Sequence, residues 1–304
     1  MERQYDIIIV GGGPAGLSAA LYASRSNASV LIIENGAPGG KLLNTDLIEN
    51  YPGYTSINGA ELALSMLGHA TSFNANIISD KVIKINKVNN SFNIECNKES
   101  YEAKAVIIAS GTKPKLMNIP GELEFTSKGV SYCAVCDAPF YRNKEVAVIG
   151  GGNSALEEAE FLTRFVSKVH LIVRRDVFRA DPIYIDKILA NKKVEVYYKS
   201  VPIMIKGVND RVSSLLIKDN DMERDIPVSG VFPFVGNSAI SEFVNDLDIT
   251  NEDGYIIVDN DMNTKVKGIF AAGDVIVKNL RQVVTACSDG AIAGQNAVTY
   301  INNK

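Results

Sequence analysis

Two cysteines separated by two residues are the groups in this sequence with the most evident chemistry. Cys133 and Cys136, followed directly by Asp137, can close a small disulfide and open it again. Zinc binding is the alternative for such a pair, but a structural zinc needs four ligands and the only histidines are His69 and His170. In a reducing compartment, a pair at this spacing therefore indicates thiol–disulfide catalysis.

An apolar strand and a glycine-rich turn follow this pair. Residues 146–149 are apolar, and GGGNSA at residues 150–155 matches the pattern GxGxxA at the start of a predicted helix. A strand, turn and helix in this order begin a dinucleotide site. A thiol pair beside a nicotinamide site suggests that electrons pass between the two, which requires a further electron carrier.

A second fingerprint of this kind lies at the N-terminus. Residues 5–10 predict a buried parallel strand, and the turn that follows has glycine at Gly11, Gly13 and Gly16. These glycines allow a tight turn, close approach of a pyrophosphate, and close packing of helix on strand. Glu34 ends the next strand, 23 positions after Gly11, where a carboxylate can bind both ribose hydroxyls. This context favours an unphosphorylated adenosine over a tight turn that binds nothing.

The equivalent position after the second fingerprint carries no acid. Val173 lies 23 positions after Gly150, and Arg174, Arg175 and Arg179 follow it. Guanidinium groups in place of a carboxylate suit the 2′-phosphate of NADP(H). The alternative interpretation is a basic loop in contact with solvent only.

Composition limits the function classes that need be considered. The chain has 304 residues, is 46% hydrophobic and 22% charged, and carries a net charge of −4, values that fit an ordinary globular protein of two domains. The acidic balance argues against nucleic acid and anionic membrane as partners. The short apolar run at residues 7–10 is too short for a signal sequence or a membrane span, so a cytoplasmic location is expected.

Several local structural predictions complete the pattern. Alternation and apolar runs predict one strand over residues 77–88, a short strand over 254–258, and a helix over 61–73 with Leu64 on its apolar face. The last predicted helix covers residues 290–300, with Cys287 just before it. The strand before Asp274 should place that carboxylate at a ligand-binding strand end.

The series GGGPAG, CAVCD, GGGNSA, RRDVFRA, GIFAAGDV and RQVVTA resembles, in order and spacing, the low-molecular-weight thioredoxin reductases of the pyridine nucleotide-disulfide oxidoreductases. The resemblance covers essentially the whole chain. It implies an α/β fold of two Rossmann-like three-layer nucleotide-binding domains, the second inserted into the first. Residues 1–113 and 245–304 would bind FAD, and residues 114–244 would bind NADPH and carry the cysteines. Homodimers, and rotation of the inserted domain during turnover, are also implied.

The resemblance assigns roles to matching residues. It places FAD on residues of both ends of the chain, namely Gly11, Gly13, Pro14, Ala15, Gly16, Glu34, Gly39, Gly40, Lys41, Leu42, Asn50, Val82, Gly111, Asp274, Arg281, Gln282 and Val283. It places NADPH on residues of the inserted region, namely Gly150, Gly152, Asn153, Ser154, Arg174, Arg175 and Arg179. No metal is implied.

The implied cycle passes a hydride from NADPH to FAD, electrons to the Cys133–Cys136 disulfide, and then reduces thioredoxin by thiol–disulfide exchange. Cys136 would face the flavin, Cys133 would attack thioredoxin, and Asp137 would manage the proton. The chain departs from the family at Val173, where histidine is usual, and at residues 138–140, where Ala-Pro-Phe follows the motif. Other acceptors (a peroxiredoxin or ferredoxin) and a non-catalytic redox sensor are the alternatives.

Overall fold

The structure, a computed structural model, describes residues 3–303. The chain forms two compact units. The split unit contains the residues up to Lys113 and those from Ser238 onward, and the inserted unit is Pro114–Asn237. Both are α/β with parallel sheets, which confirms the predicted fold class.

The first segment of the split unit alternates strands and helices. Its elements are β1 (Gln4–Val10), α1 (Pro14–Arg25), β2 (Val30–Glu34), α2 (Gly59–Thr71), β3 (Asn76–Ser79), β4 (Val82–Val88), β5 (Ser91–Cys96), β6 (Ser100–Ile108) and β7 (Thr112–Pro114).

The inserted unit follows. Its elements are α3 (Ala134–Asp137), β8 (Glu145–Ile149), α4 (Asn153–Thr163), β9 (Lys168–Val173), α5 (Pro182–Ala190), β10 (Val194–Tyr198), β11 (Ser200–Val208), β12 (Arg211–Asp219), β13 (Met222–Pro227) and β14 (Gly230–Pro233). The chain then returns to the split unit through β15 (Asn237–Ala239), which pairs with β7, and ends with β16 (Ile269–Ala271) and α6 (Val283–Asn302).

The split unit is built on a seven-stranded sheet in the order β3-β2-β1-β6-β5-β4, with β16 also paired to β6. The strands β3, β2, β1, β6 and β16 run parallel, and β4 and β5 add an antiparallel edge. The apolar runs of β1 and β2 are buried on both faces because helices cover the parallel part. Helix α6 lies directly on α1, since a Cβ at Gly290 would come within 2.1 Å of the Ala15 carbonyl oxygen.

The inserted unit has three layers. A parallel sheet in the order β10-β9-β8-β14 lies in the middle, and an antiparallel sheet of β11, β12 and β13 forms a second layer. One apolar cluster joins the central sheet to α4 and α5, and another joins it to the antiparallel sheet. In residues 3–303, no helix is long and apolar enough to cross a membrane.

The second domain boundary differs from the predicted one. The units divide after Asn237, whereas the family resemblance implied a division after residue 244. Residues 238–244 belong to the split unit because the Ile240 N–H donates to the Gly111 carbonyl at 3.0 Å and Val244 is buried in its core. Glu242 also pairs with Lys113 of the same unit.

The single strand predicted over residues 77–88 is wrong. The chain turns at Asp80, whose N–H donates to the Glu34 carbonyl at 3.0 Å and whose carboxylate accepts from the N–H groups of Lys81 and Lys98. The strands β3 and β4 on either side of this turn lie at opposite ends of the sheet order. Leu64, expected on the apolar face of α2, is instead 68% exposed.

Two predictions near the C-terminus are also wrong. Residues 254–258 form only isolated bridges, at Ile256, and no strand. Helix α6 begins at Val283 rather than at residue 290, because Gln282 and Thr285 form a capping box that starts it seven residues earlier. Cys287 therefore lies inside this helix.

Candidate active site

The first glycine-rich turn joins β1 to α1 in the split unit. Gly11 has φ +105°, and a Cβ there would lie 2.4 Å from the Ala109 carbonyl oxygen, so only glycine fits. A Cβ at Gly16 would lie 1.9 Å from the Gly11 oxygen, which explains the close packing of helix on turn. Gly13 caps α1 without a side-chain hydrogen bond, and Pro14 and Ala15 are the first helical residues. The N–H groups of this helix end are thus available to an anion.

Glu34 holds the same turn in place from the end of β2. Its Oε2 accepts the Gly12 N–H at 2.6 Å, and its Oε1 accepts the Gly36 N–H at 2.8 Å. A carboxylate has about four acceptor positions, so each oxygen keeps capacity for a further donor such as a ribose hydroxyl.

A polar group connects three distant parts of the split unit. The Lys41 ammonium donates to Thr112 Oγ1 at 2.6 Å and pairs with Asp274 Oδ2 at 3.3 Å. Asp274 lies in the 3-10 turn Gly273–Val275 directly after β16, and Lys41 in the 3-10 turn Gly40–Asn44. Two predicted site residues, Lys41 and Asp274, are therefore in contact, and Thr112 is a neighbour of Lys41 that was not predicted.

The remaining residues predicted for this site belong to the same unit. Asn50 Nδ2 donates to Gln282 Oε1 at 3.2 Å, just before Val283 begins α6. The Arg281 guanidinium donates to the carbonyls of Asp274, Ile276 and Lys278, so it organises its own loop. The other predicted positions are backbone turns and apolar contacts, namely Gly39, Gly40 and Gly111 with positive φ, and the buried Leu42 and Val82.

The second glycine-rich turn, between β8 and α4, repeats the first with one change. Gly150 has φ +143°, and a Cβ there would lie 2.5 Å from the Phe234 oxygen, while Gly152 faces open space. A Cβ at Gly151 would meet Val173 Cγ1 at 2.9 Å, just as one at Gly12 would meet the Glu34 carboxylate at 3.3 Å. Val173 is therefore an apolar contact under the turn, where the first site has a charged one.

The arginine loop after β9 folds back over this second turn. The Arg179 N–H donates to the Gly151 carbonyl at 2.7 Å, and Asn153 and Asp181 exchange hydrogen bonds at 2.7 and 2.8 Å. Arg174, Arg175 and Arg179 are exposed, and no carboxylate of residues 3–303 forms an ion pair with them. Ser154, in the first turn of α4, is exposed beside them. The loop thus has three unpaired cations beside an open helix end.

The thiol pair lies in the same unit as the second turn. Cys133 and Cys136 form a disulfide with a Cα–Cα distance of 5.4 Å. Cys133 is half-buried and its Sγ accepts the Cys136 N–H at 3.2 Å, while Cys136 is exposed. Ser131 Oγ accepts a hydrogen bond from the Cys133 N–H at 3.1 Å, which fixes the backbone just before the pair.

The residues after the motif form a short compact turn. The Asp137 N–H donates to the Cys133 carbonyl at 3.3 Å. Burial, and then the charge of Asp137, raise the pKa of Tyr141. Pro139 is the second residue of the 3-10 turn Ala138–Tyr141, a position that needs no N–H donor. Phe140 follows it and is 72% exposed, which is unusual for so large an apolar side chain.

The other two cysteines are free thiols of the split unit. Burial, together with the charge of Asp80, raises the pKa of Cys96 to about 12. Burial also raises the pKa of Cys287, whose sulfur lies 4.0 Å from the Tyr51 hydroxyl. Both thiols are therefore poor nucleophiles near neutral pH.

A half-buried acid on α4 was not predicted from the sequence. Glu158 is hydrogen-bonded to the Ala134 N–H of the thiol motif, and burial followed by the charge of Glu157 raises the pKa of its carboxyl to about 7. The sequence offers one weak signal, an acidic residue set between the buried Leu156 and Ala159.

Comparison with known proteins gives consistent results. The family described as pyridine nucleotide-disulphide oxidoreductase matches residues 5–290. The thioredoxin reductase of Bacillus subtilis is 44% identical over 302 residues, covering 99% of this chain and 96% of the relative. The crystal structure of Lactococcus lactis thioredoxin reductase (FR conformation) is 41% identical with a TM-score of 0.97, covering 99% of this chain and 100% of that one. The T. acidophilum thioredoxin reductase structure is 37% identical with a TM-score of 0.93, covering 98% and 99%.

Proposed function

Since this chain belongs to the pyridine nucleotide-disulphide oxidoreductase family, we propose that it is an FAD-containing thioredoxin reductase, which oxidises NADPH and reduces the disulfide of thioredoxin. The observation that carries this proposal is the Cys133–Cys136 disulfide, held in the same unit as a dinucleotide-type turn. Relatives of this length and identity bear the name thioredoxin reductase, which favours thioredoxin over the other acceptors.

The split unit suits FAD. The uncapped end of α1 and the open space at Gly13, where a Cβ would have only Gly40 at 3.9 Å, form a cradle for a pyrophosphate. Glu34 would bind the adenosine ribose, and Lys41 and Asp274 would bind polar atoms nearer the flavin. When bound, FAD supplies the means to convert the hydride of NADPH into two electrons for a disulfide.

The inserted unit suits NADPH. Gly152 leaves open space at the uncapped start of α4, and Arg174, Arg175 and Arg179 would bind the 2′-phosphate. Val173 places an apolar side chain against Gly151, at the position where the first turn has the Glu34 carboxylate. Selection of NADPH over NADH would thus depend on the arginines.

The cysteines of this chain carry out the exchange with thioredoxin. Reduction of the Cys133–Cys136 bond takes up two electrons and two protons and gives two thiols. Cys133, as a thiolate, would attack one sulfur of the thioredoxin disulfide, and the other thioredoxin sulfur leaves as a thiolate. Cys136 would then attack Cys133 Sγ, which releases the second thioredoxin thiolate and restores the disulfide. Asp137 would hold and return the protons of this pair.

The family resemblance also implies an oligomeric state and a cellular location. The protein would act as a homodimer, in the cytoplasm, where the two free thiols of the split unit suit a reducing medium.

An anaerobic titration tests the proposed function. The purified yellow protein should lose its flavin colour on addition of NADPH and regain it on addition of oxidised thioredoxin. Thiol counting on the thioredoxin should then show two new thiols for each NADPH consumed. If the colour does not return with thioredoxin but returns with a peroxiredoxin or ferredoxin, the proposed acceptor is wrong.

Phe140 is expected to contribute to thioredoxin binding, because its exposed ring lies in the turn directly after the redox motif, four residues from Cys136. In Phe140→Ala, the KM for thioredoxin should rise about threefold to tenfold, the loss of one apolar contact at an interface. Steady-state rates at varied thioredoxin concentration measure this effect, and flavin reduction by NADPH should not change.

Leu123→Ala is the matched control, since Leu123 is 70% exposed in the same unit and has no assigned role. Equal KM values for the wild type and Phe140→Ala would exclude this contact.

A further inference from the structure

Glu158 is a half-buried acid on the helix packed against the redox motif, and the chemistry above does not use it. Its Oε2 atom is inaccessible to solvent and has no hydrogen-bond partner within residues 3–303. Its carboxyl accepts a hydrogen bond from the Ala134 N–H. An unsatisfied carboxylate oxygen in such a place is costly, whereas a neutral carboxyl is tolerated much better.

The Ala134 N–H belongs to the peptide group directly after Cys133. Ala134 is the first residue of α3 and is fully buried, and the Cys136 N–H at the other side of this turn donates to Cys133 Sγ at 3.2 Å. Glu158 therefore holds the backbone that joins the two sulfurs. A change in its charge therefore acts on the peptide group that directly follows Cys133.

The surroundings of Glu158 favour its neutral form. Burial, and then the charge of Glu157, raise the pKa of the Glu158 carboxyl to about 7. The titratable and charged groups on the elements around α4 are Cys136 and Asp137 on α3 with Cys133 as its N-cap, Tyr184, Asp186 and Lys187 on α5, Lys168 and His170 on β9, and Glu145 on β8. The bases among them are engaged elsewhere, since Lys187 pairs with Glu160, Lys168 with Glu195 and His170 with Glu145.

We propose that Glu158 is a positioning residue that holds the peptide after Cys133 and couples formation of the reactive thiolate to its own protonation. The inference rests on the proposed function, in which the pair must be reduced and then ionise. Reduction breaks the S–S bond with two electrons from NADPH and two protons, and ionisation then releases one proton from a sulfur. A neutral Glu158 leaves that release unopposed, whereas an ionised Glu158 opposes it by like-charge repulsion.

Alkylation of the reduced pair tests this coupling without thioredoxin. The holoenzyme is reduced with a phosphine, and its reaction rate with iodoacetamide is followed by mass spectrometry from about pH 5 to about pH 9, a range that starts above the ordinary carboxyl pKa and extends past the ordinary thiol pKa. The wild type should show two inflections, one of them near the Glu158 pKa of about 7. Glu158→Gln keeps an acceptor for the Ala134 N–H but cannot ionise, so it should show one inflection. Above neutral pH it should react about threefold to tenfold faster than the wild type.

Glu157→Gln is the matched control, an exposed neighbour on the same helix. It should keep both inflections, with the lower one moved to lower pH, because the charge of Glu157 helps to raise the Glu158 pKa. A wild-type profile in Glu158→Gln, or a single inflection in Glu157→Gln, would overturn the proposal.

Infrared difference spectra of the wild type provide a second test that needs no variant to fold. Reduction of the disulfide near neutral pH should change the band of a buried protonated carboxyl, and no change would also overturn the proposal. Failure of this proposal can be distinguished from failure of the proposed function. A protein that does not reduce thioredoxin can still be alkylated, and the pH dependence of its thiol reactivity can still be measured.

Discussion

Replacement of Cys133 or Cys136 with serine should lower the rate of thioredoxin reduction by about ten-thousandfold or more, as expected on loss of a covalent nucleophile. A serine hydroxyl can neither form the disulfide nor resolve a mixed disulfide. Reduction of the flavin by NADPH involves neither sulfur and should continue at a normal rate. Stopped-flow absorbance of the flavin and steady-state oxidation of NADPH with thioredoxin measure the two steps separately.

The free cysteines provide the controls for this result. Cys96→Ser and Cys287→Ser remove thiols of the split unit whose pKa values burial raises, and both should keep thioredoxin reduction within about twofold of the wild type. Thioredoxin reduction at the wild-type rate by Cys133→Ser would refute the proposed mechanism. A large loss in Cys287→Ser would show that a third sulfur takes part.

The double variant Arg174→Ala, Arg175→Ala should lower kcat/KM for NADPH roughly a hundredfold or more, since each hydrogen bond to a charged group contributes about 1.5–3 kcal/mol. Both guanidinium groups are exposed beside the second turn, so their removal should not disturb the core. The value for NADH, which lacks the 2′-phosphate, should change less than about threefold. The ratio of the two kcat/KM values is therefore the quantity to measure.

Arg224→Ala is the matched control, because Arg224 lies in β13 of the same unit and stacks on Tyr197 at 5.0 Å, outside the predicted site. It should leave the NADPH to NADH ratio unchanged. Parallel losses with both nucleotides in the double variant would contradict a role in binding the 2′-phosphate.

The two nucleotide turns could be predicted because their signals are local. A strand, a glycine pattern and a helix follow one another within about twenty residues, and the sterics at Gly11 and Gly150 leave no alternative to glycine. The presence of valine at position 173, where the first site has the acid Glu34, could also be predicted from this local spacing. Its packing against Gly151 could not, because that contact depends on how the strand β9 lies beside the turn.

The features that sequence reasoning missed depend on contacts between distant residues. The break at Asp80 arises from hydrogen bonds to Glu34 and Lys98, neither of which adjoins it in the chain. Glu158 looks like one more acid on an amphipathic helix, and only the packing of α3 against α4 buries it. The early start of α6 had a readable signal, the capping box of Gln282 and Thr285.

The position of β16 and α6 in the split unit has a consequence for biosynthesis. The strand β16 pairs with β6, and α6 lies on α1, so the sheet and helix layer of this unit are completed only by residues translated after the whole inserted unit. The inserted unit is contiguous and has its own apolar clusters, so it can fold while the ribosome is still adding residues. The first 113 residues must wait meanwhile with an open helix face and an unpaired strand edge. A nascent chain stalled before β16 would therefore expose this helix face and strand edge to aggregation.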